Sequence, residues 1–170
     1  MNRPKEARMS DDSKYPHLVR AAAAEEVAGS FSHPWNPKSE IRGARLSAMA
    51  GLSRTGVSLA RIAPGKESFA YHLHHREEEW IYVLSGRAEA RIDGETYVLE
   101  PGDFVAFPTP SVAHQMANPF DEELVYLMGG ESKEIEIADF PDLDRRMIRR
   151  GPEIEIYRLS DAKPFGPDGE

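Results

Sequence analysis

From about residue 45 onward, the chain alternates short apolar runs with Gly, Pro and charged positions. The runs are rich in Val, Ile, Leu, Tyr and Phe, which favour strands, and closely spaced turns between short strands are typical of antiparallel all-β domains. Asp93-Gly94 gives the clearest turn, because this dipeptide tolerates the positive φ values of a tight hairpin. The pattern predicts strands near residues 45–49, 56–63, 68–74, 79–84, 87–92, 95–99, 104–107, 113–117 and 122–128.

The residues on either side of this region show weaker patterns. Residues 1–15 are polar and charged with little to bury, which predicts a disordered arm. The alanine-rich stretch 17–28 predicts a short helix, and the irregular connection after it is expected to lay Trp35 on the outside of the domain. Residues 153–159 alternate well enough for a final edge strand, and the tail 163–170 should fray.

Composition narrows the functional classes. The 170 residues, with 40% hydrophobic and 29% charged positions, are typical of one soluble domain with a substantial core. A formal charge of −8 disfavours nonspecific binding to nucleic acid or anionic membranes. The absence of cysteine excludes disulfides and thiolate ligands, so any metal must be held by imidazole and oxygen. Because the sequence shows neither a secretory signal nor a long apolar run, it predicts a cytoplasmic protein with no membrane partner.

Two histidines mark the candidate chemistry. His72 and His74 lie two residues apart and point to the same face of a strand, so both can bind one ligand.

Phosphate-binding glycine loops, nucleophile elbows and dinucleotide fingerprints are absent from the sequence, which sets those enzyme classes aside. A direct role on DNA is disfavoured as well, because the first 44 residues offer too little for a helix-turn-helix module.

The spacing around these histidines resembles the cupin superfamily. Gly65, His72-X-His74, four residues, Glu79, six residues and Gly86 follow the first cupin signature, with Gly65 one residue farther away than usual. The second signature is matched by Gly102, five residues, Pro108, and then His114 with Asn118 four positions later; Pro110 stands where a glycine is expected. The flanking pattern, including Phe140-Pro141-Asp142-Leu143-Asp144, resembles a group of cupins whose biochemical role is uncharacterised.

This resemblance implies an all-β double-stranded β-helix, the cupin jelly-roll barrel, with a metal ion inside. Carried over residue by residue, it makes His72, His74, Glu79 and His114 the metal ligands. Three imidazoles and one carboxylate suit Mn, Fe, Ni, Co, Cu or Zn, and a six-coordinate ion would keep two positions for water or a chelating substrate. The resemblance also implies a homodimer.

The run Glu77-Glu78-Glu79 leaves the carboxylate ligand open between two positions. The family spacing is compatible with either Glu78 or Glu79. Strand parity favours Glu79, because it shares a face with Ile81 and Val83, whereas Glu78 shares a face with Trp80 and Tyr82. Glu77 and Glu78 are then expected to be solvated charges at a strand entrance.

Other residues have structural explanations. Gln115 and Asn118 are expected to hold the loop around His114 by hydrogen bonds. Arg61 is expected to pair with an acidic neighbour on the surface rather than to bind substrate. Three aromatic residues are expected to cover an outer sheet face or a dimer interface: Trp80, Tyr82 and Tyr97.

The sequence therefore predicts a metal-binding cupin with two alternative functions. The first is an enzyme of the dioxygenase, isomerase or decarboxylase type that acts on a small oxygen-rich molecule. The second is a noncatalytic protein that binds or stores a small molecule. The predicted division of the chain is an arm at 1–15, an extension packing on the barrel at 16–44, the barrel at 45–130, a C-terminal extension with an edge strand at 131–162, and a tail at 163–170.

Overall fold

The computed structural model describes residues 15–163 and residue 166, so the predicted arm and tail lie almost entirely outside the described residues. Strands dominate the described part, and all pairings between its strands are antiparallel. The predicted all-β class is therefore confirmed. Among the described residues, no helix is both long and apolar enough to cross a membrane.

The elements follow one another in chain order. They are α1 (Ala21–Glu26), β1 (Gly29–Phe31), β2 (Ile41–Ala44), α2 (Leu46–Met49), β3 (Thr55–Ile62), β4 (Leu73–His74), β5 (Glu79–Ser85), β6 (Ala88–Ile92), β7 (Glu95–Leu99), β8 (Phe104–Phe107), β9 (His114–Ala117), β10 (Leu124–Glu131), β11 (Ile135–Phe140), β12 (Arg145–Arg150) and β13 (Glu153–Arg158). A single 3-10 turn, Pro141–Leu143, separates β11 from β12.

The strands form three sheets that enclose the core. The six-stranded sheet has the order β1-β2-β3-β10-β5-β8, the three-stranded sheet β7-β6-β9, and the four-stranded sheet β13-β12-β11-β4. The main core lies between the first two, where Ile62, Val83, Ala90, Leu124 and Tyr126 are almost fully buried. The sheets therefore bring strands distant in sequence around one interior.

Local sequence signals explain several elements. Asp93 and Gly94 both have positive φ, 50° and 84°, and join β6 to β7 in the predicted tight hairpin. The predicted C-terminal edge strand is β13, at the end of the four-stranded sheet. Trp35 packs against Phe140, with ring centroids 5.0 Å apart, so its predicted packing role is confirmed.

Two strand predictions need correction. Residues 45–49 are mainly the short helix α2, because Leu46, Ala48 and Met49 are good helix formers and the segment has no β-branched residue. Within 68–74, only Leu73–His74 is a strand; the preceding residues approach β9 through isolated bridges at Glu67 and His72.

Other strands lie where the sequence pattern predicted none. The N-terminal strands β1 and β2 pair with each other and extend the six-stranded sheet through β3. The strands β11 and β12 contain charged residues that pair with each other across the sheet, for example Arg146 with Asp139. These buried charges hide the alternation of polar and apolar residues by which strands are normally recognised.

Candidate metal centre

Backbone pairing brings the three candidate histidines together. The N–H of His72 donates to the carbonyl of His114 over 3.1 Å, and the N–H of His114 donates back over 2.7 Å. The ring of His72 consequently lies 4.8 Å from that of His114 and 5.0 Å from that of His74, measured between centroids. All three side chains are buried; His74 lies on the four-stranded sheet, His114 lies on the three-stranded sheet, and His72 forms an isolated bridge to His114.

Glu79 reaches the same point from the six-stranded sheet. Its Oε2 atom lies 3.3 Å from Nε2 of His74 and 3.2 Å from Nε2 of His114. Glu78 is exposed, so strand parity distinguishes the two carboxylates as the sequence predicted. The four predicted residues therefore meet in space, while their role as ligands stays a prediction.

The other ring nitrogens fix which atoms face inward. Nδ1 of His72 lies 2.7 Å from the carbonyl of Ala70, and Nδ1 of His114 lies 3.1 Å from the carbonyl of Val112. Since a carbonyl oxygen can only accept, both Nδ1 atoms must carry a proton. In the neutral rings, Nε2 then carries the lone pair, which in His114 faces Glu79, and this is the tautomer that metal-binding histidines need.

The donor set fits a cation. Lone pairs on Nε2 atoms would face a carboxylate oxygen at 3.2 to 3.3 Å, a repulsive arrangement unless a proton or a metal ion lies between them. Burial, together with the neighbouring imidazoles, lowers the pKa of His72 to about 3, so this ring stays neutral. Burial raises the pKa of Glu79, but the contact with His114 and the charges of the nearby histidines outweigh it and lower this pKa to about 2.

Glu136 supports His74 from behind. Its side chain is 1% exposed, and Oε1 lies 3.4 Å from Nδ1 of His74 while accepting N–H hydrogen bonds from His75 and Arg76. The 3.4 Å separation is long for a hydrogen bond, so the contact is mainly electrostatic. Burial lowers the pKa of His74, but contacts with Glu136 and Glu79 outweigh burial and raise it. No sequence signal pointed to Glu136.

The prediction that Glu77 is solvated is wrong. Its side chain is buried instead of solvated, because Oε1 accepts a hydrogen bond from the backbone N–H of Lys133 and pairs with Arg149 of β12. Glu77 and Glu136 place two carboxylates close to His74. Much of the acceptor capacity of Glu77 is already used by these donors, which makes it a support for the segment between β4 and β5.

The loops around His114 are held by side-chain amides, as predicted. Gln115 Nε2 donates to Glu67 and to the carbonyl of Phe69, both over 3.0 Å. Asn118 donates to two carbonyl oxygens over 2.8 Å each. Phe107 stacks on the ring of His114 with centroids 3.6 Å apart, which fixes the plane of that ring.

A cavity of about 160 Å³ lies beside this cluster. His72, Glu79 and His114 form part of its wall, and most of the remaining lining is apolar. Arg61 lies outside it and pairs with Glu25 and Glu123 at 3.4 Å each, which confirms its predicted surface role. The cluster is therefore open to a small molecule on one side.

Comparisons with known proteins agree with this architecture. Residues 58–130 match the family described as the cupin domain. The solved structure of a proposed sugar phosphate isomerase from Acidithiobacillus ferrooxidans is 34% identical, with a TM-score of 0.85 over 89% of this chain and 97% of that one. A sugar phosphate isomerase from a cupin superfamily, from Silicibacter pomeroyi, is 25% identical, with a TM-score of 0.72 over 85% and 96% of the two chains.

A curated relative also matches the central region. The polyketide synthase CurC of Streptomyces cyaneus is 36% identical over 73 residues. The match spans 43% of this chain and 46% of the length of that protein. It therefore concerns the barrel rather than either chain as a whole.

Proposed function

This chain belongs to the cupin superfamily, and we propose that it binds one divalent metal ion through His72, His74, Glu79 and His114 to act on a small oxygen-rich molecule. The observation that carries the proposal is the meeting of two Nε2 atoms with one carboxylate oxygen at 3.2 and 3.3 Å beside a cavity. These ligand types suit Mn, Fe, Ni, Co, Cu or Zn.

The metal would polarise a carbonyl group or activate water when bound. The protein's own residues prepare the site: His72 stays neutral, Glu79 stays ionised, and the apolar walls exclude bulk water. The named activities of the relatives, sugar phosphate isomerisation and polyketide synthesis, both concern carbonyl compounds. We therefore favour metal-assisted chemistry on a carbonyl substrate, of the isomerase, decarboxylase or dioxygenase type.

The alternative is a noncatalytic cupin that captures or stores a small molecule. The same cavity supports it, because Ser68, Gln115 and Tyr126 add hydrogen-bonding groups to mostly apolar walls. The two functions differ in turnover: an enzyme converts a bound carbonyl compound, whereas a storage protein releases it unchanged.

Metal analysis and a turnover screen test the proposal. The purified protein should hold one metal ion per chain, and Glu79→Gln and His72→Ala should lose most of it with the fold intact by circular dichroism. Glu78→Gln is the matched control, because the neighbouring carboxylate is exposed and should not affect metal content. Stoichiometric metal in His72→Ala would refute the site. Product formation by metal-restored but not metal-free protein supports the enzyme, and saturable binding without product supports storage.

We also propose a cytoplasmic homodimer. Exposed apolar side chains on β7 and β8 support an interface, with Tyr97 51%, Val98 53% and Phe104 61% exposed. Light scattering during size-exclusion chromatography would give twice the chain mass for a dimer.

A further inference from the structure

The cavity beside the histidines contains no lysine or arginine among its described lining residues. Its charged members besides the histidines are Glu79 and Glu131, both acidic. Lys133 lies close to Glu131 but is engaged, since its Nζ atom pairs with that carboxylate at 2.6 Å and donates to the carbonyl of Arg76. A phosphate dianion entering this cavity would lose its hydration and find only the proposed metal as a counter-charge.

Tyr126 lines this cavity and has an unused hydrogen-bond donor. It is 1% exposed, lies on β10 among the core residues, and lines the cavity. Its hydroxyl has no hydrogen-bond partner among the described residues. The other buried tyrosine, Tyr71, accepts an N–H hydrogen bond from Gly94 over 2.9 Å, so burial alone does not explain the unpaired group.

An unpaired buried hydroxyl lowers stability, so one that a native protein keeps calls for an explanation, and in a cavity beside a proposed metal site a bound ligand provides it. Burial raises the pKa of Tyr126, which keeps the phenol protonated and able to donate. The neighbouring wall is apolar and includes Phe69, Trp80 and Met128. The site thus combines one hydrogen-bond donor, apolar contact surface and the proposed metal.

We infer that the cavity takes an uncharged, largely apolar carbonyl compound whose oxygen accepts a hydrogen bond from Tyr126, and that it discriminates against phosphorylated molecules. This inference rests on the proposed function, because it names the substrate class of the same metal site. Tyr126 is a specificity-determining residue in this arrangement: it orients the ligand oxygen without holding the ion.

Isothermal titration of Zn²⁺-loaded protein with matched probes tests the inference. The first probe is 2′-hydroxyacetophenone, which has an uncharged aromatic ring and a carbonyl group. The second is phenyl phosphate, which carries a phosphate dianion on the same ring, and the third is glucose 6-phosphate. We expect 2′-hydroxyacetophenone to bind at least tenfold more tightly than either phosphate. Tyr126→Phe should weaken its binding roughly fivefold, the equivalent of one hydrogen bond, while Tyr82→Phe, which alters an exposed tyrosine on the adjacent strand, should not.

Thermal unfolding distinguishes a ligand-binding role from a structural one. Because the hydroxyl is unpaired, Tyr126→Phe should unfold at the same temperature as the wild type or higher, whereas Tyr71→Phe should unfold lower. The inference is overturned if a phosphate binds as tightly as 2′-hydroxyacetophenone, if that probe does not bind, or if Tyr126→Phe binds it unchanged. Zinc content measured on the same samples separates these outcomes from failure of the metal site itself.

Discussion

Glu136 illustrates how a single buried side chain prepares a ligand. Its carboxylate lies 3.4 Å from Nδ1 of His74, while Nε2 of that ring faces Glu79. A carboxylate behind a metal-binding histidine fixes the ring tautomer and makes the inward nitrogen a better donor. Its second oxygen, Oε2, has no hydrogen-bond partner among the described residues.

Glu136→Gln is therefore expected to weaken metal affinity by about tenfold to a hundredfold. The glutamine oxygen can still accept the N–H groups of His75 and Arg76, so the fold should persist while the negative charge behind His74 is lost. Competition with a chromophoric chelator measures the affinity, and Glu78→Gln serves as the exposed control. Wild-type affinity in Glu136→Gln would show that His74 does not depend on this carboxylate.

The sequence predicted the four clustered residues but not the groups behind them. Strand periodicity places His72 beside His74 and separates Glu79 from Glu78, because side chains alternate between faces. The roles of Glu136, Glu77 and Tyr126 depend on contacts between strands far apart in the chain, and such contacts leave no local pattern. In the sequence, the buried Glu77 cannot be distinguished from the solvated glutamate that follows it.

The close approach of β5 and β10 depends on a glycine beside the site. A Cβ atom built on Gly130 would lie 2.7 Å from the carbonyl oxygen of Glu78 and 3.0 Å from Cγ of Glu79. Gly56, opposite Gly130 on β3, has room, since its nearest contact would be 3.8 Å away. The space around Glu79 is thus set by the pairing of these strands.

Gly130→Ala is expected to lower the free energy of unfolding by about 1–3 kcal/mol, the usual cost of overpacking, and to weaken metal binding by displacing Glu79. Gly56→Ala should be neutral or slightly stabilising, because alanine restricts the unfolded chain without a clash. Urea unfolding of both metal-free proteins gives the comparison. Equal stabilities of the two variants would contradict the predicted clash.

The strands β11 and β12 are joined by a partly buried ion pair that gives a pH-dependent contribution to stability. Asp139 accepts hydrogen bonds from Arg146, both over 2.7 Å, and its Oδ2 lies 2.8 Å from Nε2 of His75. Burial raises the pKa of Asp139, but the contacts with Arg146 and His75 outweigh it, so the pKa lies below its ordinary value. A carboxyl group whose pKa is lower in the folded state stabilises the protein at pH values above its unfolded pKa of about 3.9. This stabilisation is lost as the pH falls through the lower folded pKa.

Asp139→Asn should therefore lower the free energy of unfolding by about 2–3 kcal/mol at pH 7, and the difference from wild type should shrink below about pH 4. Asp142→Asn is the matched control, because its pair with Arg91 is exposed and should contribute about 0–1 kcal/mol. Urea titrations from pH 7 downward give both values. A constant difference across this range would exclude ionised Asp139 as the source.

These charged strands also mark where sequence-based prediction of the fold failed. The hairpin at Asp93-Gly94 and the central strands follow local rules, namely turn chemistry and alternation, and were predicted. In β11, Glu136 and Asp139 occupy buried positions because Arg146, His75 and backbone N–H groups compensate them. That compensation comes from other strands, so the pattern appears too polar for a strand when read along the chain alone.

The candidate metal centre joins the three sheets of the described part of the chain. His74 comes from the four-stranded sheet, Glu79 from the six-stranded sheet, and His114 from the three-stranded sheet. An ion bound by all of them would act as a cross-link that exists only in the folded state, because the unfolded chain does not hold these groups together. Metal binding and folding stability are therefore expected to be linked.

Removal of the metal should consequently destabilise the entire barrel and not only the site. At a free metal concentration 1,000 times the dissociation constant, binding adds about 4 kcal/mol, which for a chain of this size raises the unfolding temperature by roughly 8–16 °C. Calorimetry of metal-loaded and chelator-treated protein measures this shift. His72→Ala should unfold at nearly the same temperature with and without chelator, since it lacks one ligand. An equal shift in wild type and His72→Ala would place the stabilising ion elsewhere in the protein.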